Sequence, residues 1–172
     1  MIAASVAIHE SFERGFEREY ADVVRCAYRV LGDRSDAEDV AQDVFVRFVG
    51  RRLPDTAVLR VAVVRRALNA LRAKRRRVSR ELAEYRSALA DVPRSGNVDP
   101  FALVDSHARQ ILVRAALLRL KRRDSELLIL RYSGADYRDL AYTLRIDAAQ
   151  IGTRLARAER AFRKEIDDAF LQ

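Results

Sequence analysis

The side chains of this chain best suited to chemistry lie between Asp136 and Ala158, and that chemistry is recognition of DNA rather than bond making. The segment divides into two short helices joined by a tight turn, the second with arginines on its outer face. That is the arrangement of a helix-turn-helix, which sets guanidinium groups against a duplex. Leu140, Ala141, Leu144, Ile146, Ile151 and Leu155 fall where such a motif needs its small buried triangle. Asp136 and Asp147 each stand one residue before a helix start, with Asp139 and Gln150 three residues on, so both helices open with something close to a capping box. Catalytic chemistry has almost no support. His9 and His107 are far apart, and there is no glycine-rich phosphate loop and no nucleophile motif. The single cysteine, Cys26, cannot form an internal disulfide and reads as a small buried side chain. Neither enzyme activity nor a cofactor or metal is expected.

Charge is distributed unevenly, and its pattern says more than the net +8. From Glu10 to Arg47 there are ten acids against six bases. From Thr56 to Arg80 there are nine bases, among them Arg72, Arg75, Arg76 and Arg77, and no acid at all. From Lys121 to Lys164 there are eleven bases against six acids. One acidic and two basic sections point to two kinds of partner, one basic and one polyanionic. Ordinary solvated helix faces are the alternative.

These groups need helices to hold them, and nearly the whole chain carries a helical period. Phe12, Phe16, Tyr20, Val23, Val24, Ala27, Tyr28 and Leu31 form one stripe, and Gly32 supplies the stop. Ser35 opens a second helix with Glu38 as its capping-box partner, and Ala37, Val40, Ala41, Val44, Phe45 and Phe48 mark its apolar face up to Gly50. After a loop from Arg51 to Asp55, a third helix starts near Thr56 and runs past Arg75, with Val58, Val61, Ala62, Val64, Leu68 and Leu71 available for burial. The pattern weakens after Arg80, where Pro93, Ser95, Gly96, Asn97 and Pro100 mark a linker over 81–99. Asp99 as cap and Pro100 in the first turn begin a new helix through Leu118, another spans about Arg123 to Tyr132, and the helix-turn-helix follows. The expected architecture is all-α: two small helical domains, 10–80 and 100–168, on a flexible linker. No run approaches the ~20 apolar residues of a membrane span and no signal peptide is evident, so a soluble, cytoplasmic protein is expected.

With these elements in order, the chain resembles bacterial RNA polymerase sigma factors of the extracytoplasmic-function type, which keep only conserved regions 2 and 4. The resemblance covers roughly residues 10–78 and 100–166. Asp36-Ala-Glu-Asp-Val-Ala-Gln-Asp-Val-Phe-Val-Arg47 is similar to the region 2 helix that binds the polymerase clamp. Tyr137-Arg-Asp-Leu-Ala and Thr153-Arg-Leu-Ala-Arg-Ala158 are similar to the region 4 helix-turn-helix. The resemblance implies a protein that binds core RNA polymerase and directs initiation at particular promoters, with an anti-sigma factor as a further partner. It implies polymerase contacts at Asp36, Glu38, Asp39, Gln42 and Asp43, whose acids lie opposite the apolar stripe and suit an arginine-rich surface. N-terminal capping charge explains Asp36, Glu38 and Asp39 without a partner.

For promoter DNA, the resemblance implies that Arg72, Arg75, Arg76 and Arg77 neutralise phosphates near the minus-ten element, and that the Arg51–Asp55 loop receives a flipped base. Gln150, Thr153, Arg154 and Arg157 would read bases of the minus-thirty-five element, with Arg160 on phosphate. The chain departs from the family pattern at Val58, Arg65 and Asn69, where tryptophan-leucine, asparagine and aspartate are common, and it contains no tryptophan. Gly152 replaces a frequent basic residue, and Arg145 stands where the turn usually has glycine. A plain helix-turn-helix regulator, or a degenerate sigma-like protein that does not open DNA, is the alternative.

Overall fold

The computed structural model describes residues 2–88 and 106–170, with side chains over 10–80 and 109–168. All regular structure in it is α-helical: α1 Ile2–Leu31, α2 Arg34–Val46, α3 Thr56–Ala88, α4 Ser106–Arg119, α5 Arg122–Tyr132, α6 Tyr137–Leu144 and α7 Ala148–Phe170.

The first three helices pack around one another. α1 ends where Gly32 takes a left-handed conformation (φ 67°). Glycine is required there twice over, because a β-carbon would also collide with the Arg114 guanidinium of α4. The cap of α2 is Asp33 rather than the expected Ser35. Its carboxylate accepts from the Asp36 amide at 2.9 Å, while Glu38 takes the guanidinium of Arg34 at 2.8 Å instead of closing a capping box. The small side chains Ala37 and Ala41 are fully buried and let α2 approach closely, and Phe45 meets Phe16 edge-on with ring centres 4.8 Å apart. α2 stops at Val46, and a turn carries the chain to Gly50.

α3 is buried on more than one side. Leu59, Val63, Val64, Ala67, Leu68 and Leu71 are in the core together with Val61, whereas Val58 is only half-buried and Tyr28 of α1 is 46% exposed. The sequence stripe had placed Val58 and Tyr28 inwards and missed Leu59 and Val63. α3 carries two packing faces, one toward α1 and α2 and one toward α5 and α6, so a single stripe does not describe it. Truncating one of its fully buried leucines, Leu59 or Leu68, to alanine costs about 2–5 kcal/mol. The helix continues to Ala88, eight residues into the expected linker. The rest of that linker and the Asp99–Pro100 helix start lie outside the described residues.

α5 is central. Ser125, Glu126, Leu127, Leu128, Ile129 and Leu130 are all buried, the pattern of a helix covered all round. The Ser125 hydroxyl donates to the Leu117 carbonyl at 2.7 Å, which satisfies a polar group in the core. α5 and α6 also pack on α3, so one apolar core runs from α1 through α3 and α5 to Ile151, Leu155 and Ala158 of α7. The two halves are therefore in contact.

Candidate nucleic-acid interface

The α6–α7 pair has the geometry of the expected motif. Asp136 caps α6 by accepting from the Asp139 amide at 2.7 Å, and Asp147 accepts from the Ala149 amide at 2.9 Å. Neither cap is a reciprocal box as expected. The Gln150 side chain accepts from Arg154 at 2.9 Å, one turn along the same helix. Between the helices Arg145 adopts φ 53°, ψ 51°, the left-handed turn conformation that glycine takes without strain and that costs arginine roughly 1–2 kcal/mol. Leu140, Ile151 and Leu155 are buried, and Ala141, Leu144 and Ile146 half-buried against them, so α7 is fixed relative to α6. Gly152 has room: a β-carbon there would make only ordinary contact with the Tyr137 ring at 3.9 Å, and that ring lies under the Arg131 guanidinium.

On the outer face of α7, Gln150, Thr153, Arg157 and Arg160 are exposed and Arg154 is half-buried. The first four of the predicted readers, Gln150 to Arg157, line one wall of an open groove. The other wall is the start of α5, with Lys121, Arg122 and Arg123. Sequence reasoning passed over this wall. The signal was present as three consecutive cations heading a helix, where acids are the favoured residues.

A second groove runs between α2 and α3 and brings together the two surfaces that the sequence had treated separately. Asp36, Asp39, Gln42 and Asp43 form one side; Arg66, Lys74, Arg77 and Arg80 form the other. Lys74 Nζ donates to Asp36 at 2.7 Å, and Arg66 Nε donates to Asp43 at 3.1 Å. Asp39 and Gln42 stand exposed, while Asp36 and Glu38 are half-buried. Arg75 and Arg76 are exposed, and Arg80 Nε reaches the Arg76 carbonyl at 3.4 Å. Arg72 does not stand out in solvent as a phosphate contact should: it is half-buried, and its Nη1 is buried without a hydrogen-bond partner.

Of the positions that depart from the family pattern, Arg65 acquires a definite role. Its Nε donates to Glu126 Oε2 at 3.0 Å, and Arg122 Nε donates to the other oxygen of the same carboxylate at 2.9 Å. The Glu126 side chain is only 4% exposed, so one buried carboxylate joins α3 to α5 and reaches the edge of the basic groove. Asn69 is exposed. Arg29 adds a second link between the halves by donating to the Tyr132 carbonyl.

The Arg51–Asp55 loop is pinned by Leu53, which packs so closely on α1 that a β-carbon at Gly15 would lie 2.7 Å from its Cδ1. Beside the loop, Arg14 and Arg18 of α1 and Tyr142 of α6, which is 69% exposed, complete a cleft. Nothing in the sequence brings Tyr142 to this loop, because its place depends on how the halves pack.

Asp22 and Arg60 are the most strongly coupled ionisable pair between α1 and α3. Partial burial acts to raise the Asp22 pKa, but hydrogen bonds from Arg60, at 2.7 Å, and from Arg25 outweigh it and hold the carboxyl below its ordinary value. The same bond raises Arg60. Burial raises the Cys26 thiol, which keeps it protonated and unreactive. Among the described residues no group of three or more His, Cys, Asp or Glu side chains could hold a metal ion, and no helix is long and apolar enough to cross a membrane.

No family model matches the chain, and no curated protein matches it. Among solved structures, the chain is similar to the sigma factor RpoE of Bartonella quintana, crystallised in complex with the anti-sigma factor NepR. The TM-score is 0.51 at 18% identity, over 91% of this chain and 96% of that one. The all-helical fold of a sigma factor is thus shared along nearly the full length of both.

Proposed function

We propose that this protein is a sigma factor: it binds core RNA polymerase through the exposed face of α2 and directs it to promoters through α7. The observation that carries this reading is that one chain presents both a capped acidic helix and a helix-turn-helix with an outward cationic face, on a fold shared with a sigma factor. A regulator that only bound DNA would leave the α2 face without a task. Asp39 and Gln42 are the exposed centre of the polymerase surface. Asp36 and Asp43 contribute through carboxylates already engaged by Lys74 and Arg66, and Glu38 through one held by Arg34. Gln150, Thr153, Arg154 and Arg157 read the upstream element, Arg160 contacts phosphate, and Arg75, Arg76 and Arg77 lie along the downstream duplex with Arg72 behind them. An anti-sigma protein is a further partner, as in the RpoE complex. The chain performs no chemistry of its own in this reading and works where polymerase is, in the cytoplasm.

One observation favours a particular variant of this reading. Arg65, standing where the family has asparagine, is bound to Glu126, and Val58 offers no aromatic surface beside the loop. Promoter opening therefore relies on other side chains than the family's usual ones, or is weak. The test is capture of the full chain by core polymerase. Replacing Asp39 and Asp43 together by arginine should reduce binding about tenfold or more, through lost complementarity. Asp39→Arg alone, which leaves the Asp43–Arg66 pair intact, should give most of that loss. Unchanged capture by both variants, with unchanged helical content, would remove the clamp-helix assignment.

A further inference from the structure

Three features converge at the groove between α5 and α7. First, Lys121, Arg122 and Arg123 head α5, where the aligned peptide dipoles already place partial positive charge, so cations there are unfavourable. Second, Lys121 at the cap position makes no side-chain capping bond, and the first turn of α5 brings only Asp124 as an acid. Third, the opposite wall adds Arg154 and Arg157, so five cations face a single open groove. Glu126 compensates Arg122, whereas Lys121 and Arg123 are exposed and form no ion pair among the described residues. A fold that repels itself at one place is a fold built for a ligand there, because rule-breaking sites are expected where function is.

The geometry points to a phosphate clamp: we propose that the start of α5 binds the sugar-phosphate backbone of the duplex whose major groove receives α7. Backbone amides at the head of α5, the side chains of Lys121 and Arg123, and the α5 dipole all favour an anion at one spot. The wall carries a positioning role. A phosphate fixed against α5 sets the depth and register at which Gln150, Thr153 and Arg157 meet base edges, and it carries no sequence information itself. The inference rests on the promoter-binding reading, and it adds residues 121–123 to the DNA surface. A duplex is favoured over a free phosphate-bearing small molecule, because the groove is open along its length and continues onto the exposed recognition face of α7.

The experiment uses polymerase holoenzyme assembled with the full chain, and labelled duplexes carrying selected promoter or scrambled upstream sequences, across a salt series. Lys121→Gln with Arg123→Gln should lower the salt slope of log affinity by about two, since each phosphate contact contributes about 0.9. Affinity near 0.1 M salt should fall by about tenfold or more on promoter and scrambled duplexes alike. Arg123→Lys should restore most of its share, and Arg109→Gln, a cation removed from α4, should leave the slope unchanged. The free double variant should melt no lower than the parent, because the cations it loses are repelled by the helix end. An unchanged slope with intact promoter binding overturns the clamp and leaves the function standing. A lower melting temperature makes the cations structural and overturns it too. Loss of preference at particular base pairs overturns the positioning role. Failure of the parent holoenzyme to prefer any promoter overturns the function, and the clamp with it. Inorganic phosphate added at the same ionic strength separates sources: competition by phosphate alone at low millimolar concentration would overturn the duplex in favour of a small anion.

Discussion

The two halves of the molecule treat positive charge in opposite ways. In α1–α3, cations are answered by acids across helix boundaries: Arg60 by Asp22, Arg66 by Asp43, Lys74 by Asp36. In α5–α7, the cations of the groove face one another, and the only ion pair touching them runs from Arg122 to Glu126. The more acid-poor stretch of sequence, 56–80, is therefore not the more available cationic surface. The difference teaches that a count of bases along a chain measures potential, while the fold decides which charges are spent inside. An exposed pair of this kind is worth only about 0–1 kcal/mol, so the N-terminal cations are lightly held and can be released to a stronger anion. Reciprocally, a cationic partner on the α2 acids frees Lys74 and Arg66 for DNA, since coupling between two ligands works in both directions.

The junction between the halves is where that contrast breaks most readily. Glu126→Gln removes the one buried carboxylate that joins them and leaves Arg65 and Arg122 without their anion. Because those guanidinium groups are 44% and 53% exposed, water recovers part of the loss, and the cost is about 2 kcal/mol rather than the ~3–5 kcal/mol of a fully buried pair. Hydrogen exchange of α5 and the overall dimensions in solution check this: faster exchange and a larger radius are expected. If both stay as in the parent, apolar packing alone holds the halves together.

The contrast between open and occupied cations is sharpened on DNA. Arg157→Ala should cost roughly 1–3 kcal/mol at a cognate upstream site and relax preference at one or two base pairs. Arg75→Ala, at the end of α3, should weaken binding about equally on all sequences and lower the salt slope by about one. Holoenzyme binding to a promoter library is the measurement. Identical scaling by both substitutions across the library would mean that α7 reads no sequence.

Local signals were legible where they reside in short stretches. The caps at Asp136 and Asp147, the buried Leu140, Ile151 and Leu155 and the apolar face of α2 all follow from spacing within one or two turns. Long-range consequences were not. Arg65 and Glu126 are 61 residues apart, and neither looks unusual alone. Glu126 in particular reads as a surface residue, because only its position beneath two guanidinium groups makes burial tolerable. Arg72 was misjudged for the same reason, since its neighbours in the run, Arg75 and Arg76, are exposed and it is not. Asp33 lost to Ser35 as the expected cap because both residue types cap well, and only the backbone of the α1–α2 turn chooses between them.

The smallest expected effect concerns the paired half alone. The Asp22 carboxyl is held below its ordinary value in the folded state, so its ionised form stabilises the fold above the unfolded carboxylate range near ~3.9. That contribution is lost as pH falls through the lowered folded value. Asp22→Asn should therefore melt slightly below the parent at neutral pH, and the two curves should converge as pH drops below about 3. A matched substitution on the open half, Asp124→Asn, removes a half-buried acid beside three cations and tests whether carboxylates there matter as much to the acid limb. Thermal melts of the parent and both variants from neutral to acid pH decide it. Parallel curves for Asp22→Asn and parent down to the acid limit would mean that this carboxyl does not titrate with folding, and that the charge pairing between α1 and α3 is incidental to stability.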